Sequence, residues 1–240
     1  MRSHVTTGRR AIKLSIVLGL ALGVALSPCC RISEVIVRAS TPTLAYELAG
    51  KIDIPENANT IFLPIENLQA AAATCHRIRD NSVRRAGLRS ITIDIEERRP
   101  VAAVAADGQY TTVDEQGVCL IRTDTPMELL AIKGLAEQGF ALGATLPAAQ
   151  FELMTACLEG AGEARIGDAA VFDLSNPHLV TVRTHDGVEG KLGELENIRG
   201  RTVVFGRLLE GLREKGQHVA YIDVRVGHRP VCREKTAGSS

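Results

Sequence analysis

From Leu14 to Cys30 the chain reads LSIVLGLALGVALSPCC, seventeen residues without a charge. As a helix this block spans about 25 Å, near the lower limit for an apolar bilayer core of about 30 Å, and Lys13 can snorkel to extend it. The pattern then shortens. Ile32 to Ala39, ISEVIVRA, alternates as a strand. Thr41-Pro42 reads as a helix cap followed by proline at the first helical position, and Leu44, Leu48 with Ala45, Ala49 form an apolar stripe ending at Gly50. A short extended piece around Phe62 precedes a second helix from near Pro64, with Ile65, Leu68, Ala72 and Cys75 on one face. Ile91, Ile93 and Ile95 alternate with Thr92, Asp94 and Glu96, as in a strand with one buried face. Pro100 suits a boundary, because proline has no N–H for a sheet ladder. Val101 to Ala105 and Tyr110 to Val113 then flank Asp107-Gly108, a dipeptide suited to the positive φ angles of a tight hairpin, and Gly117 offers the next reversal.

Further on, Ala148 to Glu159 reads as a helix with Phe151, Met154, Leu158 and Ala161 inward. Val171-Phe172, Leu179 to Thr184 and Val188 to Leu192 read as strands, the last two joined at Asp186-Gly187. Thr202 to Leu212 is predicted helical, with Val204, Leu208 and Leu212 at fourfold spacing. Tyr221 to Arg225 and Pro230 to Arg233 are the closing strands. The sum is an α+β protein: a helix-containing small domain over 31–98, a β-rich domain with flanking helices over 99–235, and a short polar tail, 236–240, expected to be disordered.

Charge fixes orientation. Arg2, Arg9, Arg10 and Lys13 precede the apolar block, and no acid appears before Glu34, so 1–13 should stay cytoplasmic and 14–30 should insert as a single transmembrane helix. A cleaved signal peptide is the rival, with Ala25-Leu26-Ser27 as its small-residue site, but Pro28 hinders that cleavage and also spoils a lipoprotein signal at Cys29. Either way the remainder is exported. With four of the 28 basic residues in the tail, the rest of the chain is acidic by four, which gives no footprint for nucleic acid. An apolar fraction of 45% over 240 residues is ample for folded cores.

Candidate chemistry is sparse. The chain has no G-x-S-x-G elbow, phosphate-binding glycine loop or H-E-x-x-H, so no catalytic, cofactor-binding or metal residue is assigned. His4, His76, His178, His185, His218 and His228 are scattered, and Glu96-Glu97-Arg98-Arg99 reads as a solvated, internally paired run. Of six cysteines, Cys29 and Cys30 fall at the membrane edge, while Cys75, Cys119, Cys157 and Cys232 occupy apolar contexts typical of buried thiols. The spacing is no disulfide framework and holds no C-x-x-C, though a Cys75 to Cys119 bridge stays open.

One spaced string says more. Val83, Arg85, Leu88, Ile91, Ile93, Ile95, Glu97-Arg98 and Pro100-Val101-Ala102 run into Val113-Asp114 and Gly117. This resembles the bacterial cell-division family FtsQ/DivIB, in which an "ER.PVA" motif closes a POTRA domain and a "vD..G" hairpin opens a second, β-rich domain. Leu88 departs from the pattern, standing where the family usually has proline. Leu129, Ile132 and Gly134 are similar to its "LP.l.G", Leu192-Gly193 to its "v.LG", and Tyr221-Ile222-Asp223-Val224-Arg225 to its "yiDLR". The resemblance implies a non-enzymatic inner-membrane divisome scaffold whose partners are FtsB- and FtsL-type membrane proteins and, through them, the septal peptidoglycan synthase. It also implies partner binding through Arg225, Val226, Gly227, His228, Arg229, Val231, Cys232 and Arg233, with the final strand as a sheet edge open to an added strand. The alternative is a bitopic component of a secretion or pilus-assembly system, which has no reason to carry the "yiDVR" ending.

Overall fold

A computed structural model describes residues 15–19, 23, 27–136, 138–167, 169–225 and 231–234. Two compact units share the chain, 1–97 and 98–240. Residues 15–19 are helical and exposed, and most of the remaining apolar block lies outside the described residues. Among those described, no helix is long and apolar enough to cross a membrane. The end of the block departs from the expected membrane helix. Pro28–Cys30 form a short 3-10 helix whose cap, Ser27, accepts a bond from Cys29 N. Cys30 is buried in the first unit, and its carbonyl accepts a bond from Thr60 N at 2.8 Å.

In the first unit, strand β1 (Glu34–Arg38) is followed by helices α1 (Pro42–Lys51) and α2 (Ile65–Ala73), then strands β2 (Ile78–Arg85) and β3 (Ser90–Glu97). The sheet order is β1-β3-β2, with β1 parallel and β2 antiparallel to the central strand. The period-two pattern of β3 explains its central place. Ile91 and Ile93 are buried with Leu63, Leu68 and Val83, while Asp94 on the opposite face pairs with Arg84 at 3.0 Å. Leu44 and Leu48 of α1 meet Ala72, Cys75 and Ile78 in an adjoining cluster. Two local expectations change. Phe62 lies in a turn, and the extended piece shrinks to one bridge between Arg31 and Asn59. Thr41 caps α1 by position only, because its Oγ1 bonds the Glu97 carboxylate instead of the helix.

The second unit is one sheet of nine strands, ordered β12-β11-β10-β9-β8-β7-β4-β5-β6. Its strands are β4 (Pro100–Ala106), β5 (Gln109–Asp114), β6 (Cys119–Thr123), β7 (Leu130–Lys133), β8 (Val171–Asp173), β9 (Val180–Arg183), β10 (Glu189–Gly193), β11 (Val219–Asp223) and β12 (Val231–Glu234). Pro100 opens β4, where a missing donor is tolerated. Asp107 (φ 51°) and Gly108 (φ 77°) make the β4–β5 turn, in the left-handed conformation that short hairpins favour. Helices α3 (Ala148–Ala164) and α4 (Ile198–Glu214) build the core on the sheet through Met154, Cys157, Ile198, Phe205 and Leu209.

Both helices outrun their predicted bounds. The helix expected to end at Glu159 continues through α3 to a left-handed cap at Arg165 (φ 52°). Gly160 is small because another backbone passes close by, and a Cβ there would sit 3.1 Å from the Arg199 Cα. In the same way α4 starts at Ile198, capped by Asn197 accepting from Gly200 N, four residues before the expected start at Thr202. Its buried face is Ile198, Thr202, Phe205 and Leu209, so Val204 is turned out and 41% exposed. Leu208 and Leu212 only flank the core. In α3, Met154 and Ala161 are buried, while Phe151 and Leu158 pack at its margin.

Candidate partner-binding edge

The two ends of the matched pattern are held by ion pairs. At the first, Arg98 Nη1 donates to Asp114 Oδ2 at 2.6 Å and to Gln116 Oε1 at 2.8 Å. The other Asp114 oxygen accepts from Gln116 N at 3.0 Å and Val118 N at 2.7 Å, which closes the turn between β5 and β6. Gly117 (φ +81°) completes that turn, and a Cβ on it would meet the Phe151 ring at 2.8 Å. The run Glu96 to Arg99 is therefore not paired within itself. Glu96 meets Arg79, Glu97 meets Thr41, and Arg98 belongs to the second unit.

At the other end, β11 pairs parallel with β10 and antiparallel with β12. Ile222 and Val224 point into the core, and Val224 N donates to Lys191 O at 3.0 Å. Tyr221 lies under the Lys191 ammonium, 4.3 Å from ring centre to Nζ. Arg225 folds back on Asp223: its backbone N–H and Nε donate to Oδ1 at 3.1 and 3.0 Å, and Nη2 to Oδ2 at 2.6 Å. The hydrogen bonds from Arg225, above all, hold the Asp223 carboxyl below its usual range against partial desolvation. This clamp sits where the chain leaves β11, directly opposite Val231 in the ladder.

β12 is the last strand of the sheet, and among the described residues no strand pairs with its outer side. Cys232 lies opposite buried Ile222, whereas Val231 and Arg233 lie opposite Asp223 and Tyr221 on the other face. All three are exposed, Val231 by 56%. Cys232 thus differs from the buried thiol expected of its context, although partial desolvation still raises its pKa. Cys75, Cys119 and Cys157 are buried; desolvation pushes Cys119 up to about 11 and Cys157 up to about 12, far from the thiolate form a nucleophile needs. Of the residues expected to bind a partner, Arg225, Val231, Cys232 and Arg233 are brought to this one edge, and Val226, Gly227, His228 and Arg229 lie outside the described residues. The pairing of Lys191 with Tyr221 is not legible in the sequence, because it depends on a parallel contact between strands about thirty residues apart. Among the described residues no group of acids, histidines and cysteines is placed to hold a metal ion.

These features define a two-unit α+β protein whose second unit ends on an open sheet edge. The chain belongs to the bacterial FtsQ/DivIB cell-division family: residues 102–225 match the family described as "Cell division protein FtsQ/DivIB, C-terminal", from β4 to the Arg225 clamp. A similar solved structure is the major extracytoplasmic domain of the trans isomer of the cell-division protein DivIB from Geobacillus stearothermophilus. It is 18% identical over 50% of this chain and 97% of that one, with a TM-score of 0.30, a loose superposition that adds nothing to the family match. No curated protein matches the chain.

Proposed function

We propose that this cell-division protein is a non-enzymatic scaffold of the divisome, held in the inner membrane by the apolar run that begins at Leu14 and closes at Leu26, with its two folded units outside. On this reading the first unit is a POTRA domain, supported by its strand-helix-helix-strand-strand order. The second unit recruits an FtsB-type partner, and with it an FtsL-type protein and the septal peptidoglycan synthase, by taking an extended segment along β12. The observation that carries the proposal is the open outer side of β12 at the end of the nine-stranded sheet. Such an edge presents unpaired N–H and C=O groups, and main-chain pairing tolerates variation in side chains.

Proline substitutions test it. Successive N–H groups of a strand point to opposite sides, so of Val231 and Cys232 one donates to β11 and the other outward. Each lost ladder bond costs about 1 kcal/mol, and more where the proline ring clashes. One of Val231→Pro and Cys232→Pro should lose capture of an FtsB-type partner with its melting temperature little changed, while the other mainly loses stability. Pull-downs and thermal melts on the same preparations decide it. Equal capture by two well-folded variants removes β12 from the interface.

A further inference from the structure

The first unit has an apolar end with no role in the partner edge. Three segments meet there. Thr60 N donates to Cys30 O at 2.8 Å, and Ser33 N donates to Arg89 O at 2.9 Å. Arg85 ties the end of β2 to the segment 60–63, with Nε donating to Thr60 O at 2.5 Å and Nη2 to Leu63 O at 3.0 Å. The end so formed leaves Ile61, Phe62 and Leu88 exposed, Phe62 by 57% and Leu88 by 61%. Large apolar side chains grouped at one end of a domain mark an interaction surface.

Position says what covers them. Cys30 is buried in this same end, and only residues 27–29 separate it from the apolar run that closes at Leu26. Four Cα steps cannot exceed about 14 Å, and the 3-10 turn over Pro28–Cys30 shortens that reach. We propose that this end of the first unit rests on the outer face of the bilayer, with Ile61, Phe62 and Leu88 pressed into the boundary between headgroups and acyl chains. The proposal rests on the anchor reading above. Arg31, Arg85 and Arg89 in these segments are matched by Glu34, Glu56 and Glu66 close by in the chain. Attraction therefore comes from apolar burial rather than headgroup charge, and neutral lipid suffices. Leu88, which departs from the family pattern, supplies one of the three contacts.

The chain contains no tryptophan, so single tryptophans are clean probes. Phe62→Trp, Leu88→Trp and, as a control, Tyr46→Trp would each be placed in the full-length chain. Tyr46 lies on α1 in the same unit and is 81% exposed. Each variant is reconstituted in phosphatidylcholine vesicles with plain or brominated acyl chains and checked by flotation. Contact with the acyl boundary should cost Phe62→Trp and Leu88→Trp roughly half of their emission in brominated lipid, with Tyr46→Trp unaffected. Vesicle-bound chain in which neither Phe62→Trp nor Leu88→Trp is quenched, or in which all three are quenched alike, overturns the proposal and leaves the anchor standing. Chain that does not float with the vesicles removes the anchor and this contact together.

Discussion

Asp223 and Arg225 show how a motif read as recognition can first be a matter of local geometry. Three donor groups of one residue converge on the carboxylate two positions earlier, and they fix the point where the chain leaves β11. The pH dependence follows. Because the folded carboxyl is held below its ordinary value of about 3.9, the stability it contributes is whole above that pH and is lost as the pH falls through the lower folded value. Asp223→Asn should therefore lower the melting temperature by a constant amount from neutrality down to about pH 5, and the gap to the unsubstituted protein should close below about pH 4. Melts of both proteins across that range check it; a gap that persists at the acid end shows that the carboxylate is not what holds Arg225. Asp223 and Arg225 were legible as part of the motif, and the contact between them spans only two positions. The pairing of Arg98 with Asp114 was not, since a run of four charges gives no sign that its third member reaches sixteen residues ahead.

Between elements, α3 and α4 approach each other closely. Gly206 lies where a Cβ would come within 2.5 Å of both Cβ and O of Ala164, and Arg199 bridges from α4 to Glu159 and Glu163 on α3. Gly206→Val forces the helices apart and should cost about 1–3 kcal/mol, seen as a lower midpoint in denaturant with little change in slope. An unchanged midpoint means that the helices do not pack at this distance. This contact also explains which elements the pattern placed well. The isoleucine strand and the Asp107-Gly108 hairpin depend on neighbours a few residues away. The ends of α3 and α4 depend on each other, so both helices run past the bounds expected at Glu159 and Thr202, and Gly160 and Gly200 lie inside them.

At the scale of the molecule, each unit closes its own core, and Arg98 belongs to the second by its bonds to Asp114 and Gln116. Asp114 is almost fully buried, so Arg98→Ala leaves a carboxylate with only two backbone N–H groups to answer it, at a cost of about 3 kcal/mol. Faster hydrogen exchange should then be confined to residues after 98, and loss of protection in β3 or α2 would mean that the two cores unfold as one. The order of the strands has one more consequence. Among the described residues β12 is the last strand in sequence as well as the outermost in the sheet. A ribosome delivers it after every strand it leans on, and β11 in turn needs β10 already in place. The surface at that edge therefore comes into being only after the strands beneath it have been made, so any protein that seizes it takes hold of a finished sheet and never of a partial one.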